Sequence, residues 1–122
     1  MKTPVRVEKP WGHEIIWAHT DRYVGKVLHI DRGHLLSRQY HEVKDETLYV
    51  MKGVLILELG PADKAKRTLV PAGRSFHVAP GTIHRFMSPD DEDCDLLETS
   101  TPELDDVVRL EDEYGREGTS AP

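Results

Sequence analysis

The sequence predicts an all-β domain, folded as an antiparallel barrel or sandwich, and three observations support this prediction. Short segments alternate between two faces, as in Tyr23–Asp31, where Lys26 and Leu28 share one face while Val27 and His29 share the other. Clusters of glycine, proline and aspartate separate these segments at regular intervals, as turns between strands do. The chain has 122 residues, which suffices for one hydrophobic core but not for two, so we expect a single domain over residues 1–122.

A series of strands is predicted along the chain, and one of them is interrupted by a glycine. The predicted strands are His13–His19, Tyr23–Asp31, Leu35–His41, Thr47–Leu59, Arg67–Val70, Ser75–Val78, Ile83–Ser88 and Cys94–Ser100. The third and fourth flank a short charged turn, Glu42–Asp45, so we expect them to pair as a hairpin. Gly53 suits a tight turn inside the fourth. The barrel core is therefore expected to cover roughly residues 13–100.

The C-terminal segment, residues 101–122, differs because its signals favour a helix. Thr101 is a suitable N-cap, Pro102 fits the first helical position, and acidic residues occupy the first turn. The apolar side chains that would share one helical face and pack on the barrel are Leu104, Val107 and Val108. We therefore predict a short C-terminal helix, followed by a tail that frays from Gly118 onward.

Composition and charge argue against several classes of function. The formal net charge of −6 disfavours nucleic-acid binding, which requires a basic face. No apolar run approaches the length of a membrane-spanning helix, and the N-terminus lacks the apolar core of a signal peptide, so we expect a cytoplasmic location. Cys94 is the single cysteine, so no disulfide can form within the chain. A small residue in a strand is a better interpretation of Cys94 than a nucleophile.

Four side chains of metal-ligating types occur near the ends of predicted strands. Gln39 and His41 are two residues apart and therefore project from the same face of a strand. The predicted hairpin brings Glu46 back beside them, and His84 follows a separate proline–glycine turn. One amide oxygen, two imidazoles and one carboxylate converging in this way predict a site for one divalent metal ion, with a metal-free pocket as the alternative. Zn²⁺ is the first expectation, and Mn²⁺, Fe²⁺, Co²⁺ and Ni²⁺ also suit these donors.

Two basic residues, Lys26 and Arg116, are candidates for contact with an anionic ligand. By the alternation of its strand Lys26 points inward, where a lysine must be paired or functional; a register slip would instead make it a solvated charge. Arg116 is a candidate phosphate ligand because a guanidinium offers two parallel donors. For Arg109 we favour an ion pair with the acidic residues that follow it.

His29 and His77 alternate to the outer face of their strands and are expected at the surface or at an interface.

Together these motifs resemble those of the cupin superfamily. Four residues match the first cupin motif: Gly33, His41, Glu46 and Gly53. Gln39 stands where many cupins have a histidine in that motif. The second cupin motif is matched by Gly73, Pro80, Gly81 and His84. More narrowly, the chain is similar to the cupin domain at the C-terminal end of bifunctional type II mannose-6-phosphate isomerase/mannose-1-phosphate guanylyltransferases. This resemblance covers roughly Val7–Arg116 and rests also on three segments: Lys9-Pro10-Trp11-Gly12, Leu36-Ser37-Arg38-Gln39-Tyr40-His41 and Val108–Arg116.

The resemblance implies a fold, a cofactor and a reaction. The fold is a double-stranded β-helix, or jelly-roll barrel, and the implied ligands of its metal ion are Gln39, His41, Glu46 and His84. The implied reaction interconverts mannose 6-phosphate and fructose 6-phosphate. For that reaction the inward-pointing Lys26 is our candidate catalytic residue and, together with Arg116, a candidate substrate contact. The base that moves the proton stays open between a neutral Lys26, a hydroxide on the metal, and Glu42.

The sequence departs from the family pattern near the implied ligands. Glu42 and Thr47 stand where the family usually has histidines, and the 122 residues contain no nucleotidyltransferase domain, so GDP-mannose synthesis is not expected of this chain. Two other functions therefore stay open: a sugar- or metabolite-binding cupin without catalytic activity, and a small metal-dependent dioxygenase. Exposed sheet edges and two tryptophans near the N-terminus, Trp11 and Trp17, favour a homodimer.

Overall fold

The computed structural model describes residues 1–118 and consists of two antiparallel β-sheets around one core. The strands are β1 (Val5–Lys9), β2 (Gly12–His19), β3 (Val24–Ile30), β4 (Arg38–Tyr40), β5 (Glu46–Lys52), β6 (Val54–Leu59), β7 (Lys66–Pro71), β8 (Ser75–Val78), β9 (His84–Met87), β10 (Cys94–Ser100) and β11 (Val108–Glu111), with a 3₁₀ turn at Ala62–Lys64. One sheet has the strand order β1-β2-β3-β10-β5-β8, and the other has the order β11-β4-β9-β6-β7. The predicted all-β jelly-roll barrel is thereby confirmed.

Strict alternation along the central strands gives the barrel an apolar end and a polar end. In β5 the inward positions read Val50, Leu48 and Glu46, while the residues between them are exposed. In β10 the inward positions change from leucine at Leu96 to carboxylate at Glu98. The antiparallel register places the polar positions of neighbouring strands side by side, since Ser100 pairs with Glu46 and Glu98 pairs with Lys26 of β3. The alternation therefore brings the buried charges of Lys26, Glu46 and Glu98 together at one end.

The apolar end is closed by a core that both sheets supply. Its buried members are Trp11, Leu28, Ile30, Leu36, Leu48, Val50, Leu55, Leu57, Val70, Val78, Phe86, Cys94 and Leu96. Cys94 is fully buried, and burial raises the pKa of its thiol, with help from Asp95 and Glu92, to about 12. These observations agree with its interpretation as a small core residue. Within residues 1–118, no helix is long and apolar enough to cross a membrane.

The predicted C-terminal helix is wrong. The segment after β10 makes tight turns, including hydrogen bonds from the Leu104 amide to the Pro102 carbonyl and from the Val107 amide to the Asp105 carbonyl. The chain then forms β11, which pairs with β4. The apolar spacing suited a helix, but the residues that are buried alternate with period two, at Val107 and Arg109. The predicted fraying from Gly118 onward concerns mainly residues 119–122, which lie outside the described residues.

The predicted hairpin between Leu35–His41 and Thr47–Leu59 is also wrong. β4 belongs to the five-stranded sheet and β5 to the six-stranded sheet, so the turn between them crosses from one sheet to the other. The chain crosses back at Gly53, which has φ +82° and whose Cβ, if present, would lie 2.4 Å from a backbone carbonyl oxygen. Gly53 is thus a corner between sheets, where a side chain does not fit. Strand β1 was not predicted.

Candidate metal centre

The polar end of the barrel encloses a cavity with a volume of about 50 Å³. Its walls hold five basic side chains, Lys9, Lys26, Lys44, Arg109 and Arg116, and three carboxylates, Glu14, Glu46 and Glu98. His41 and Glu46 line this cavity, and ligand atoms of His41, Glu46 and His84 all lie within 4.8 Å of one another. The structure therefore brings together three of the four residues predicted to bind metal, although they come from different sheets.

The two histidines are held so that the same nitrogen of each ring faces Glu46. Nδ1 of His41 lies 2.5 Å from the carbonyl oxygen of Asp106, and Nδ1 of His84 lies 2.8 Å from that of Thr82. Because a carbonyl only accepts, each Nδ1 carries the proton and each Nε2 carries a lone pair. The Nε2 atoms lie 3.6 and 3.7 Å from the two Glu46 oxygens and have no hydrogen-bond partner among the described residues.

Electrostatics keep both imidazoles in the form that binds metal. Burial lowers the pKa of His41, and the ammonium of Lys44 lowers it further. Burial also lowers the pKa of His84, against the attraction of the Glu46 carboxylate. Burial and the nearby carboxylate of Glu98 raise the pKa of Glu46, against the attraction of Lys44. Two buried lone pairs aimed at one carboxylate are a costly arrangement without a cation, so the donor set fits a divalent metal ion.

Gln39, the fourth predicted ligand, faces the same cavity from β4. Its Cα is paired with that of His84 in β9 and with that of Arg109 in β11, and residues directly opposite each other share a face of the sheet. The amide oxygen of Gln39 accepts a hydrogen bond of 2.5 Å from the hydroxyl of Ser37. That oxygen has a second lone pair, so a role for Gln39 as a metal ligand stays a prediction.

Lys44 is a buried cation beside these residues, and sequence reasoning missed it. Its Nζ lies 2.9 Å from Glu46 Oε2 and 3.2 Å from Glu98 Oε2. Burial opposes charge on Lys44, but the two carboxylates outweigh burial and raise its pKa above the usual range. In the same way burial opposes charge on Glu98, but Lys44 and Lys26 hold the pKa of that carboxyl below its usual range. In the sequence, Lys44 is one of several charged residues in a turn, and nothing marks it as the buried one.

Asp106 fixes the turn that carries both His41 and Lys44. Its two carboxylate oxygens accept hydrogen bonds of 2.7 to 3.0 Å from the backbone amides of Glu42, Val43 and Lys44. Its backbone carbonyl accepts the Nδ1–H of His41. Asp106 lies in the segment for which a helix was predicted, so its role could not be inferred from the sequence. The segment joining β10 to β11 therefore positions one wall of the cavity.

The predicted inward orientation of Lys26 is confirmed. Its side chain is buried, and its Nζ lies 3.2 Å from Oε1 of Glu14 in β2. Glu98 is its Cα neighbour in β10, and all three residues line the cavity. Glu14 was not identified from the sequence, because the alternation that marked Lys26 as inward was not extended to the less regular pattern of β2.

Both C-terminal arginines line the cavity on the side of β11. Arg116 contacts Asp112 through Nε at 2.9 Å and Nη2 at 3.1 Å. Arg109 is buried; burial and the guanidinium of Arg116 lower its pKa, against the attraction of Asp112 and Glu14. Burial likewise lowers the pKa of Lys9, and the repulsion of Lys26, Arg109 and Arg116 lowers it further, while the attraction of Glu14 raises it. These basic groups lie close enough to lower the pKa values of Lys9 and Arg109, so an anion placed among them would be favoured electrostatically.

The residues that depart from the family pattern lie away from the cavity. Glu42 and Thr47 are both exposed, and neither lines the cavity, so their replacement of histidine leaves its wall unchanged. Their exposure also removes Glu42 as a base inside the barrel. The outer-face positions predicted for His29 and His77 are confirmed, and each ring contacts a surface aspartate. His29 forms a second group of ligand-type side chains, with the exposed Asp31 and Asp93.

Comparison with known proteins identifies the family. The sequence model of the cupin domain family matches residues 26–100 of this chain. The chain belongs to the cupin family. It is 32% identical over 113 residues to mannose-1-phosphate guanylyltransferase ManC of Salmonella typhimurium. The aligned region covers 90% of this chain and 23% of that protein. It is 29% identical over 114 residues to xanthan biosynthesis protein XanB of Xanthomonas campestris, which covers 91% of this chain and 24% of that protein. This cupin chain therefore spans about a quarter of the length of these curated relatives.

Solved structures confirm the cupin fold. The capsular polysaccharide assembling protein CapF from Staphylococcus aureus superposes with a TM-score of 0.79 at 17% identity, over 91% of this chain and 32% of that one. The polyketide cyclase RemF from Streptomyces resistomycificus superposes with a TM-score of 0.72 at 20% identity, over 80% of this chain and 70% of that one. Identities this low establish the fold alone. The resemblance to the cupin domain of guanylyltransferases, inferred from sequence motifs, is confirmed by ManC and XanB.

Proposed function

We propose that this cupin chain binds one divalent metal ion and isomerises a sugar phosphate. The residues that would hold the ion are His41, Glu46 and His84, with Gln39 as a fourth ligand. The observation that carries this proposal is the pair of buried Nε2 atoms that face the Glu46 carboxylate and have no hydrogen-bond partner within residues 1–118. Zn²⁺ is the proposed ion because the donors are imidazole nitrogens and oxygens in a closed pocket; when bound, it polarises the substrate carbonyl as a Lewis acid.

The charges of the cavity support an anionic substrate. The chain carries a net charge of −6, yet basic side chains outnumber carboxylates five to three in the cavity wall. Arg109, Arg116 and Lys9 would hold a phosphate at the β11 side, since guanidinium groups bind phosphate with two parallel donors. Gln39 separates Arg109 from His84 in the sheet, so a phosphate and the metal would lie at opposite ends of the same ligand. Mannose 6-phosphate is the proposed substrate.

The Lys26–Glu14 pair is proposed to carry out the proton transfer. Conversion of the aldose to the ketose removes the proton from C2, passes through an enediol and returns a proton to C1. Glu14, as a carboxylate inside the cavity, would take and return that proton. Lys26, whose Nζ lies 3.2 Å from Glu14, would stabilise the negative charge that develops on the substrate oxygens. The proton and the developing charge would thus stay within reach of two side chains, Glu14 and Lys26.

A hexose phosphate requires the cavity to open. The cavity of about 50 Å³ is far smaller than the 300–1,000 Å³ typical of small-molecule sites. Leu104 and Val107, in the segment that joins β10 to β11, line the cavity and would have to move outward. The small volume is also the observation that favours a second candidate function, in which the chain binds a metabolite without converting it.

An isomerase assay with mannose 6-phosphate tests the proposal. We expect the metal-stripped protein to form fructose 6-phosphate only after addition of Zn²⁺ or another divalent ion, and H84A to be inactive. H19A is the matched control, because His19 is exposed on β2, and it should retain wild-type turnover. Binding of mannose 6-phosphate without turnover, with every divalent ion tried, would instead establish the binding function. Dioxygen consumption by the metal-loaded protein would point to an oxygenase.

A homodimer is also proposed, on narrower grounds than the sequence suggested. Trp11 is 2% exposed and belongs to the core, whereas Trp17 is 50% exposed and lies over Gly25 on the outer face of β3. Only Trp17 is therefore available to an interface. Light scattering after size-exclusion chromatography should give a dimer mass that W17A reduces to a monomer mass; a wild-type monomer would contradict this proposal.

A further inference from the structure

The ammonium of Lys44 and the candidate metal position share one carboxylate. Oε2 of Glu46 lies 2.9 Å from Lys44 Nζ and 3.6 Å from His41 Nε2. The other Glu46 oxygen lies 3.7 Å from His84 Nε2. A cation held by both imidazoles would therefore bind the carboxylate that Lys44 already neutralises.

This sharing matters because the charges are buried. The side chains of Lys44, Glu46 and Glu98 are 8%, 2% and 4% exposed. At such burial, water screens the interaction of charges weakly, and each carboxylate needs a nearby cation. Without the ammonium, Glu46 and Glu98 would face each other as two buried anions. In the absence of metal, Lys44 supplies the positive charge that the site requires.

A second partner allows Lys44 to leave Glu46 without becoming unpaired. Its Nζ lies 3.2 Å from Oε2 of Glu98, and that oxygen also accepts a hydrogen bond of 2.9 Å from the Ser100 hydroxyl. The backbone of Lys44 is fixed separately, because its N–H donates a hydrogen bond to the carboxylate of Asp106. The side chain can therefore shift toward Glu98 while the turn that carries it stays in place.

We propose that Lys44 is an internal counter-cation that competes with the metal ion for Glu46 and thereby sets the metal affinity of the cupin. This inference rests on the metal centre proposed above. Bound metal displaces the ammonium from Glu46 onto Glu98, and the two cations repel each other across the carboxylate. Lys44 thus lowers the affinity for metal but keeps the site folded and its carboxylates neutralised when metal is absent.

Metal titration of charge variants tests the competition. K44M removes the charge while keeping the length of the side chain, and we expect it to lower the Kd for Zn²⁺ by about tenfold or more. K44R keeps the charge and should stay within about threefold of the wild type. K9M is the matched control, since Lys9 is also a cationic wall residue but contributes no ion pair to Glu46 among those that the structure describes. We expect its Kd to change much less than that of K44M.

Thermal unfolding gives a second readout. Metal-free K44M should unfold at a lower temperature than the wild type, and Zn²⁺ should raise its Tm by more than it raises that of the wild type. An unchanged or higher Kd for K44M would overturn the proposal, as would an equal gain in affinity for K9M. Absence of Zn²⁺ binding by the wild type would instead reject the metal centre itself, so the two failures are distinguishable.

A crystal structure of the metal-loaded wild type tests the displacement of Lys44 from Glu46 directly, and it needs no variant, so it applies even if K44M does not fold. We expect the ammonium of Lys44 to lie more than about 4 Å from both Glu46 oxygens while remaining hydrogen-bonded to Glu98. An ammonium still in contact with Glu46 beside a bound metal would overturn the proposed competition.

Discussion

Removing the carboxylate of Asp106 should destabilise this protein by several kcal/mol. D106A deletes the acceptor of three backbone amides, those of Glu42, Val43 and Lys44. Hydrogen bonds to a charged group contribute about 1.5–3 kcal/mol each, but water can reach the exposed turn and replace part of this contribution. We therefore expect a loss of about 2–4 kcal/mol in the free energy of unfolding.

Urea unfolding of the metal-free protein at neutral pH measures this loss. D105A is the matched control, because Asp105 is the exposed neighbour in the same segment, and it should stay within about 0.5 kcal/mol of the wild type. A loss of less than about 0.5 kcal/mol for D106A would refute the role assigned to Asp106. Because the carboxylate of Asp106 fixes the turn that follows His41 and thereby the position of its own carbonyl against His41, we further expect D106A to bind metal about 10–100-fold more weakly.

The difference in unfolding free energy between the wild type and D106A should also change with pH in a defined direction. Burial opposes ionisation of Asp106, but the amides of Lys44, Glu42 and Val43 outweigh burial and hold its pKa below the usual value. A lowered folded-state pKa contributes stability that is fully present above the unfolded value of about 3.9 and is lost as the pH falls through the folded pKa. The stability difference between wild type and D106A should therefore be constant from about pH 5 to 7 and shrink below about pH 4. A difference that grows in acid would contradict this assignment.

Three further predictions concern the corner, the histidines and the acid–base pair. G53A should lose about 2 kcal/mol or more in urea unfolding, because φ is +82° and a Cβ would clash with backbone; wild-type stability would show that the corner relaxes. Metal-free protein should lose stability as the pH falls through about 6.5, since His41 and His84 have lowered pKa values and the unfolded chain binds more protons; a flat profile of urea midpoints between pH 7.5 and 5.5 would contradict this. K26M should lower kcat for isomerisation by about 10²–10³ with metal content unchanged, whereas E14Q should lower it without altering KM; equal turnover in either variant would remove that residue from the mechanism.

The barrel could be predicted largely from local alternation. Ser75–Val78 and Cys94–Ser100 were predicted with the bounds that the structure shows, and the other central strands differ by a few residues. The pairing of those strands could not be predicted, because the turn after His41 can be read equally as a hairpin or as a crossing between sheets. β11 was missed since its apolar spacing also fits a helix, and the preference for a strand comes from pairing with β4.

The candidate site was predictable in its ligands but not in its charges. His41, Glu46 and His84 were identified by residue type and motif, and the structure places them together. The buried position of Lys44 depends on two carboxylates from different strands, and the role of Asp106 depends on a turn about 60 residues away in the chain. Glu98 is distant from Lys44 in the sequence, as Asp106 is from the turn that it fixes, so neither alternation nor composition reveals these contacts.

The metal centre is tested most directly by anomalous diffraction from crystals grown with Zn²⁺. We expect one strong peak inside the barrel, within about 2.2 Å of Nε2 of His41, Nε2 of His84 and an oxygen of Glu46. A map whose peaks lie only at the surface group around His29, or that has no peak in the barrel, would contradict the metal centre and the isomerase proposed on it.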